Sequence, residues 1–168
     1  MKTLLLLRHG KSDWDADYRG DHQRPLASRG VRSARMMGSL IAAMELTPDR
    51  VLTSTALRAT STAALAAEAG DWSVPAEPED GFYGQGPEVV LDVASRSDGD
   101  RLLLVGHEPT WSMVVRRLTG ASVQMKTASL AVIELMIDEW SDLPHSRGVL
   151  TLLIHPRRFF GSEWDPGS

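Results

Sequence analysis

The first strongly apolar segment of the chain is continuous rather than alternating. Residues 1–7 contain four consecutive leucines, and this pattern is typical of a strand buried on both faces of a sheet. Residues 101–105 (Arg-Leu-Leu-Leu-Val) form a second run of the same kind. The shorter segments 50–53 and 72–76 predict two further strands.

Between these strands, apolar residues recur at the three- and four-residue spacing of amphipathic helices. We expect the first helix to begin at an N-cap, Ser28, and to end near Glu45. The second helix is rich in alanine and is expected to be capped by Ser54 or Thr55. The other predicted elements are a helix that begins at Pro87, a helix that ends near Gly120, and two strands over residues 129–137 and 148–154.

The alternation of strands and helices up to about residue 120 predicts βαβ units and a mostly parallel sheet covered on both faces. Because no repeat or long linker divides the chain, we predict a single-domain α/β protein, a three-layer α/β/α sandwich. Residues 1–160 would form this domain and residues 161–168 a polar C-terminal tail. Residues 8–24 and 77–86 are predicted loops, and long ordered loops are usually functional.

Composition and charge exclude several classes of protein. The chain has 168 residues, 42% of them apolar and 24% charged, and a net charge of -4, which argues against a general nucleic-acid binder. It has no cysteine, so disulfide frameworks, thiolate metal sites and cysteine nucleophiles are excluded. The apolar runs are too short for a signal peptide or a membrane span. We therefore expect a cytoplasmic protein without a membrane partner.

The polar residues that follow three predicted strands carry the chemistry. Arg8 and His9 follow the first strand, His107 follows the strand at 101–105, and Arg58 lies in the first turn of the helix after the strand that ends before Ser54. The carboxyl ends of parallel strands meet at the same edge of a sheet, where ligands of such folds bind. We therefore expect two histidines and two arginines to converge there.

Such a constellation is suited to phosphoryl chemistry. Guanidinium groups bind phosphate through paired hydrogen bonds, and a neutral imidazole beside them can attack phosphorus. The nearby positive charge favours the neutral form of histidine. The second histidine, if protonated, would stabilise the phosphoryl oxygens.

These residues also carry a resemblance to a known family. Three segments, in order and each at a strand end, resemble the motifs of the histidine phosphatase superfamily, which has the phosphoglycerate-mutase-like fold: residues 7–12, 54–63 and 105–109. Residues 21–30 are similar to the SixA-like branch, the phosphohistidine phosphatases. Residues 82–84 and 127–132 also resemble the family. The resemblance extends from residue 3 to about residue 155.

The resemblance implies a role for each matching residue. His9 would be the nucleophile that carries a transient phosphoryl group, and the phosphate pocket would be completed by Arg8, Arg58 and His107. Ser54 and Thr62 would be supporting hydrogen-bond groups. The resemblance implies no metal and no organic cofactor. It implies a phosphorylated substrate, with a histidine-phosphorylated protein favoured as the partner.

Other residues near the motifs have less specific signals. We expect Arg24 and Ser12 to contact substrate, with Lys11 at the rim, although an arginine before proline is often simply exposed. His22 is either a solvated loop histidine or a substrate contact. Core packing is favoured over a place in the pocket wall for the two tryptophans that flank the motifs, Trp14 and Trp111.

Many members of the superfamily place a carboxylic acid where it protonates the leaving group. The candidates here are Glu79, Asp80 and Glu108, and the sequence assigns none of them. The chain also has little room for the insertions that cover the substrate in larger members. An open pocket suits a bulky substrate such as phosphohistidine on a protein.

Three functions therefore stay open at the level of sequence. The first is a phosphatase that acts on phosphohistidine through a phosphorylated His9. The second is a small-molecule phosphomonoesterase of the same superfamily. The third is a non-catalytic module that binds phosphate. A mutase is disfavoured by the missing insertion, and a nucleotide-binding protein by the absence of a phosphate-binding glycine motif.

Overall fold

A computed structural model describes residues 1–157 of the chain. Its centre is a six-stranded sheet with the spatial order β3-β2-β4-β1-β5-β6. In chain order the strands are β1 (Lys2–Arg8), β2 (Arg50–Ser54), β3 (Ala76–Glu79), β4 (Arg101–Gly106), β5 (Leu130–Leu135) and β6 (Gly148–Ile154). The polar tail predicted over residues 161–168, and the last residues of the predicted domain, lie outside the described residues.

Within residues 1–157, four α-helices with defined bounds connect or follow these strands. They are α1 (Ser28–Ala43), α2 (Leu57–Gly70), α3 (Pro87–Ala94) and α4 (Thr110–Thr119). Three short 3-10 helices lie in the connections, at Asp21–Gln23, Asp80–Phe82 and Trp140–His145. None of the helices within residues 1–157 combines the length and the apolar character needed to cross a membrane.

The sheet is mostly parallel, as predicted. β1 and β2 both pair in parallel with β4, and β3 pairs in parallel with β2. β5 is antiparallel to β1, and β6 is antiparallel to β5. The carboxyl ends of β1, β2 and β4, which are neighbours in the sheet, consequently lie side by side at one edge.

The four consecutive leucines of β1 pack on both faces of the sheet. Leu4 and Leu6 pack with the apolar faces of α3 and α4, whereas Leu5 and Leu7 pack with α1 and α2 on the opposite face. All four side chains are fully buried. Because successive residues of a strand point to opposite faces, this pattern requires helices on both sides, and the predicted single-domain α/β/α sandwich is confirmed.

The prediction of the third strand was wrong in position. Residues 72–75 do not form a strand; β3 begins at Ala76 and extends into the loop predicted over residues 77–86. The apolar side chain of Trp72 packs into the core with residues of the sheet and of the helices α1 and α2. β3 is an edge strand, which tolerates Pro78 and the acidic residues, and Glu77 forms an ion pair of 2.9 Å with Arg50.

The predicted helix caps were also wrong. The residues at the N-cap positions of α1 and α2 are Ala27 and Ala56, and neither helix has a side-chain capping bond. Ser54 is the last residue of β2, and its hydroxyl accepts a hydrogen bond from the backbone N–H of Ala56 at 3.3 Å. The same hydroxyl lies 2.7 Å from His107, so Ser54 is part of the site at the sheet edge.

Candidate active site

A polar cavity of about 220 Å³ lies at the carboxyl ends of β1, β2 and β4. The residues that line it come from the loops after β1 and β4, from the first turn of α2 and from the loop before β5. They are Arg8, His9, Lys11, Ser12, Trp14, Arg24, Arg58, His107, Glu108 and Thr127. The structure thus brings together all six residues that sequence analysis proposed for catalysis and substrate binding.

His9 is a buried imidazole with a defined tautomer. Its Nδ1 lies 2.7 Å from the carbonyl oxygen of Gly10, and because a carbonyl only accepts, Nδ1 carries the proton and Nε2 keeps its lone pair. Burial, together with the nearby His107 and Arg58, lowers the pKa of His9 to about 3. The ring is therefore neutral near pH 7, as a nitrogen nucleophile must be.

Backbone and hydroxyl hydrogen bonds fix the position of His9. Its backbone N–H donates to the carbonyl of Gly106 at the end of β4, at 3.0 Å. The next N–H, that of Gly10, donates to the Thr62 hydroxyl at 3.0 Å, and this hydroxyl donates to the carbonyl of Arg58 at 2.7 Å. Thr62 therefore acts behind the cavity, tying the nucleophile loop to the helix that carries Arg58.

His107 faces His9, with ring centroids 5.1 Å apart and planes inclined by 57°. Its Nε2 lies 2.7 Å from the Ser54 hydroxyl. Burial and the charge of Arg58 lower the pKa of His107 to about 4. The second histidine is therefore neutral near pH 7, and the negative charge of a bound phosphoryl group would favour the protonated form expected from the sequence.

Two arginines approach the cavity from the β1 side. Arg8, the last residue of β1, donates from Nη1 to the carbonyl of Met125 at 2.9 Å. Arg24 is 5% exposed and donates from Nη1 to the Ser12 hydroxyl. Arg24 is thus a third cation beside Arg8 and Arg58, and the alternative of an exposed arginine before proline is excluded.

Asp21 links two of these cations, and sequence analysis assigned it no role. Its carboxylate accepts from Nη2 of Arg24 at 2.8 Å, from Nη2 of Arg58 at 2.9 Å and from the Tyr83 hydroxyl at 2.9 Å. The hydrogen bonds from Arg24, Tyr83 and Arg58 hold the pKa of Asp21 well below its usual range. The signals in the sequence were the place of Asp21 in the segment 21–30 that resembles the SixA-like branch and its three-residue spacing from Arg24.

Trp14 does not pack into the core, contrary to expectation. It lines the cavity with 63% of its surface exposed, and its ring lies 3.6 Å from the guanidinium carbon of Arg24. This is a cation–π contact. Trp111 does pack in the core, where it is fully buried with its ring edge-to-face on Phe82.

The three candidate carboxylic acids occupy different places. Glu108 lines the cavity, but its two oxygens accept from the backbone N–H and the hydroxyl of Ser112, at 2.9 and 2.6 Å. Glu108 therefore holds the first turn of α4. Glu79 and Asp80 belong to the end of β3 and the next 3-10 helix, and neither is among the residues lining the cavity.

His22 lies beside the cavity rather than in its lining. Its Nε2 is 2.9 Å from the Thr55 hydroxyl, and its ring meets Tyr83 edge-on at 4.9 Å. The Tyr83 ring is in turn 5.7 Å from that of His107. His22 is half-buried and bonded to protein, so it is not simply a solvated loop residue.

Within residues 1–157, no group of three or more histidine, aspartate or glutamate side chains is close enough to hold a metal ion. The groups gathered at the cavity are cationic or neutral, apart from Asp21 and Glu108, whose carboxylates are occupied by hydrogen bonds from protein. The arrangement fits an anion rather than a cation.

Comparison with known proteins agrees with this geometry. The model of the histidine phosphatase superfamily (branch 1) matches residues 4–83. An uncharacterised protein of Mycobacterium tuberculosis is 36% identical over 151 residues, which are 82% of this chain and 91% of the relative. A candidate phosphohistidine phosphatase SixA from Nakamurella multipartitia has a similar structure, with a TM-score of 0.80 and 29% identity over 92% of this chain and 96% of the other. A second candidate SixA, from Agrobacterium tumefaciens, has a TM-score of 0.78 and 25% identity over 92% and 98%.

The fold and the site define a phosphatase built on a phosphoglycerate-mutase-like α/β sandwich. The chain belongs to the histidine phosphatase superfamily, and its likeness to the SixA structures places it in the SixA-like branch.

Proposed function

We propose that this protein hydrolyses phosphohistidine, with a histidine-phosphorylated protein as its substrate, through a phosphorylated His9. The observation that carries the proposal is the state of the carboxylates at the cavity. Asp21 is ionised between Arg24 and Arg58, and both oxygens of Glu108 accept hydrogen bonds from Ser112. Both carboxylates are therefore engaged with protein donors, which disfavours either of them as the acid that protonates a leaving group.

The first step transfers the phosphoryl group to the protein. Nε2 of His9 attacks phosphorus, the new N–P bond forms, and the bond to the leaving group breaks. Support for this step comes from the neutral ring of His9 and the Nδ1–Gly10 hydrogen bond that leaves Nε2 unprotonated. The guanidinium groups around the cavity bind the phosphoryl oxygens, whose charge they match.

The second step returns His9 to its initial state. Water attacks the phosphorus of phospho-His9, the N–P bond breaks, inorganic phosphate forms, and Nε2 recovers its lone pair. His107 lies 5.1 Å from His9 between ring centroids, where it can bind the phosphoryl oxygens in both steps. The negative charge of the phosphoryl group raises the pKa of His107 and so favours its protonated form.

The leaving group distinguishes phosphohistidine from alkyl phosphates. An alkoxide is a poor leaving group unless an acid protonates it, and such an acid contributes about 100-fold or more. An imidazole has a conjugate acid with a pKa of about 6.5 and departs already protonated near neutral pH. A cavity whose carboxylates are occupied is therefore suited to phosphohistidine.

The test is a ranking of substrates by kcat/KM. We expect phosphohistidine peptides and p-nitrophenyl phosphate to be hydrolysed at least about 100-fold faster than glycerol phosphate. The variants Glu108→Gln and Asp80→Asn should retain activity on phosphohistidine within about 3-fold, since neither side chain supplies the proton. Efficient hydrolysis of glycerol phosphate, or a 100-fold loss in either variant, would instead support a small-molecule phosphomonoesterase with a general acid.

A further inference from the structure

A second and larger cavity lies next to the phosphoryl cavity. Its volume is about 460 Å³, roughly twice that of the phosphoryl cavity. It is formed by the first turns of α1, the loop before β5 and the segment that follows β6. We refer to it as the cationic cleft and define it by six of its lining residues: Arg29, Val123, Lys126, Leu153, Pro156 and Arg157.

The cationic cleft adjoins the site through shared structure. Thr127 lines both cavities, and Lys126 precedes it. On the other side, α1 is pressed against the nucleophile loop, because a Cβ at Gly30 would lie 2.1 Å from the carbonyl oxygen of Lys11. This close approach places Arg29, the neighbour of Gly30, beside the loop that carries His9.

The charge of the cationic cleft is opposite to that of the protein as a whole. Arg29, Lys126 and Arg157 line it, and none of its lining residues within residues 1–157 is acidic, although the chain has a net charge of -4. None of the three cations forms an ion pair within the described part of the chain, although Nζ of Lys126 donates to the side-chain oxygen of Gln124 at 2.7 Å. Lys126 and Arg157 are exposed, so their charges are available to a partner.

Part of the lining of the cationic cleft is apolar. Val123, Leu153 and Pro156 contribute carbon surface to the same cavity as the three cationic side chains. A cleft of a few hundred Å³ with apolar lining and a few placed charges is the usual form of a binding site. The combination of apolar and cationic lining residues matches a peptide segment that carries both carboxylates and an apolar side chain.

We propose that the cationic cleft binds an acidic segment of the protein substrate, next to the phosphorylated histidine held in the phosphoryl cavity. This proposal rests on the proposed function. A phosphoryl group and its imidazole ring would occupy the smaller cavity, and the cationic cleft, which shares Thr127 with it, is placed to receive the flanking chain. Charge complementarity selects acidic flanks over neutral or basic ones, and steers their approach.

The experiment compares three phosphoryl donors: phosphoimidazole, a phosphohistidine peptide with glutamates beside the histidine, and the same peptide with glutamines. The variant carries two charge reversals, Lys126→Glu and Arg157→Glu. A matched control, Arg116→Glu with Arg147→Glu, changes net charge equally at two exposed arginines that line neither cavity. All measurements use the full chain.

We expect the cleft variant to raise KM for the glutamate peptide about 10-fold, because exposed ion pairs contribute modestly and two are replaced by repulsion. Its kcat, its activity on phosphoimidazole and its KM for the glutamine peptide should stay within about 2-fold of the wild type. The control pair should behave as wild type. The preference for the glutamate peptide should also shrink as salt is added.

The outcomes separate the two proposals. Equal KM values for the two peptides in the wild-type protein, with good hydrolysis of both, would overturn the cleft assignment and leave the proposed function standing. Failure to hydrolyse any of the three donors would overturn both. The unphosphorylated glutamate peptide should compete with the phosphopeptide. Competition by a small bis-anion such as malonate, but not by this peptide, would assign the cleft to a small molecule and overturn the proposal.

Discussion

The carboxylate of Asp21 accepts a hydrogen bond of 2.9 Å from Nη2 of Arg58, a residue 37 positions further along the chain. The backbone carbonyl of Asp21 accepts from Nη1 of the same guanidinium at 2.8 Å. Both terminal nitrogens of Arg58 are therefore oriented by one residue. Since the carboxylate also binds Arg24, Asp21 aligns two cations of the phosphoryl cavity and partly neutralises their charge.

Two substitutions of Asp21 should distinguish its alignment of the two arginines from its neutralisation of their charge. Asp21→Asn retains an oxygen acceptor but removes the negative charge, so we expect inorganic phosphate to inhibit about 3- to 10-fold more strongly, with kcat within about 3-fold. Asp21→Ala removes both the charge and the acceptor, and kcat/KM should fall about 10-fold or more. Steady-state kinetics with phosphate as inhibitor measures both. Equal behaviour of the two variants would contradict separate roles.

His9→Ala should abolish turnover, because the variant lacks the unprotonated Nε2 that attacks phosphorus. Wild-type protein quenched during turnover of a slow substrate should carry phosphate that is labile in acid and stable in base, as a phosphoramidate is. Mass spectrometry of the quenched protein locates this phosphate. His145→Ala changes an exposed histidine outside the cavity and serves as the control. Phosphate found on serine would rule out the mechanism.

Trp14→Ala should weaken the binding of substrates, because the indole ring holds Arg24 in a cation–π contact at the mouth of the cavity. Such contacts contribute about 0.5–1 kcal/mol, so KM for p-nitrophenyl phosphate should rise about 2- to 5-fold. Trp14→Phe keeps an aromatic face and should lie between wild type and the alanine variant. An unchanged KM in the alanine variant would show that Trp14 has no part in positioning Arg24.

The buried histidines should make the fold sensitive to acid. The pKa values of His9 and His107 fall from 6.5 to about 3 and about 4 on folding, so the unfolded chain binds more protons below pH 6.5. Stability is then fully present above pH 6.5 and decreases as pH falls, by up to about 1.4 kcal/mol per pH unit for each histidine. The pKa of Asp21 is also lowered on folding. Protonation of Asp21 therefore reduces stability further only below about pH 4.

Urea unfolding at pH 7 and at pH 5 measures this dependence. His107→Asn should reduce the loss of unfolding free energy between the two pH values, because the variant has one buried imidazole fewer to protonate. His145→Asn should leave the dependence as in wild type, since His145 is exposed. A stability that stays constant between pH 7 and pH 5 would contradict the burial of both rings.

The hydrophobic pattern of the sequence was sufficient to predict the sheet and the edge of the sheet that carries the candidate site. The leucines of β1 and the run at residues 101–105 are buried on both faces, and such strands are typical of a parallel sheet between helices. Topology then places His9, Arg58 and His107 at one edge, because parallel strands end on the same side. Whether a residue follows a strand can be recognised from its neighbours along the chain, so the sequence alone determined the place of these three residues.

The tertiary structure alone decided how loop residues meet at this edge. Asp21 and Tyr83 are 62 positions apart, and their hydrogen bond of 2.9 Å depends on how two loops pack rather than on any periodicity in either. The same holds for Trp14, whose apolar ring indicated core packing until the fold placed it over Arg24. The cationic cleft likewise joins Arg29, Lys126 and Arg157 from three distant segments. Contacts of this kind leave no pattern in the local sequence, because the two partners are far apart along the chain.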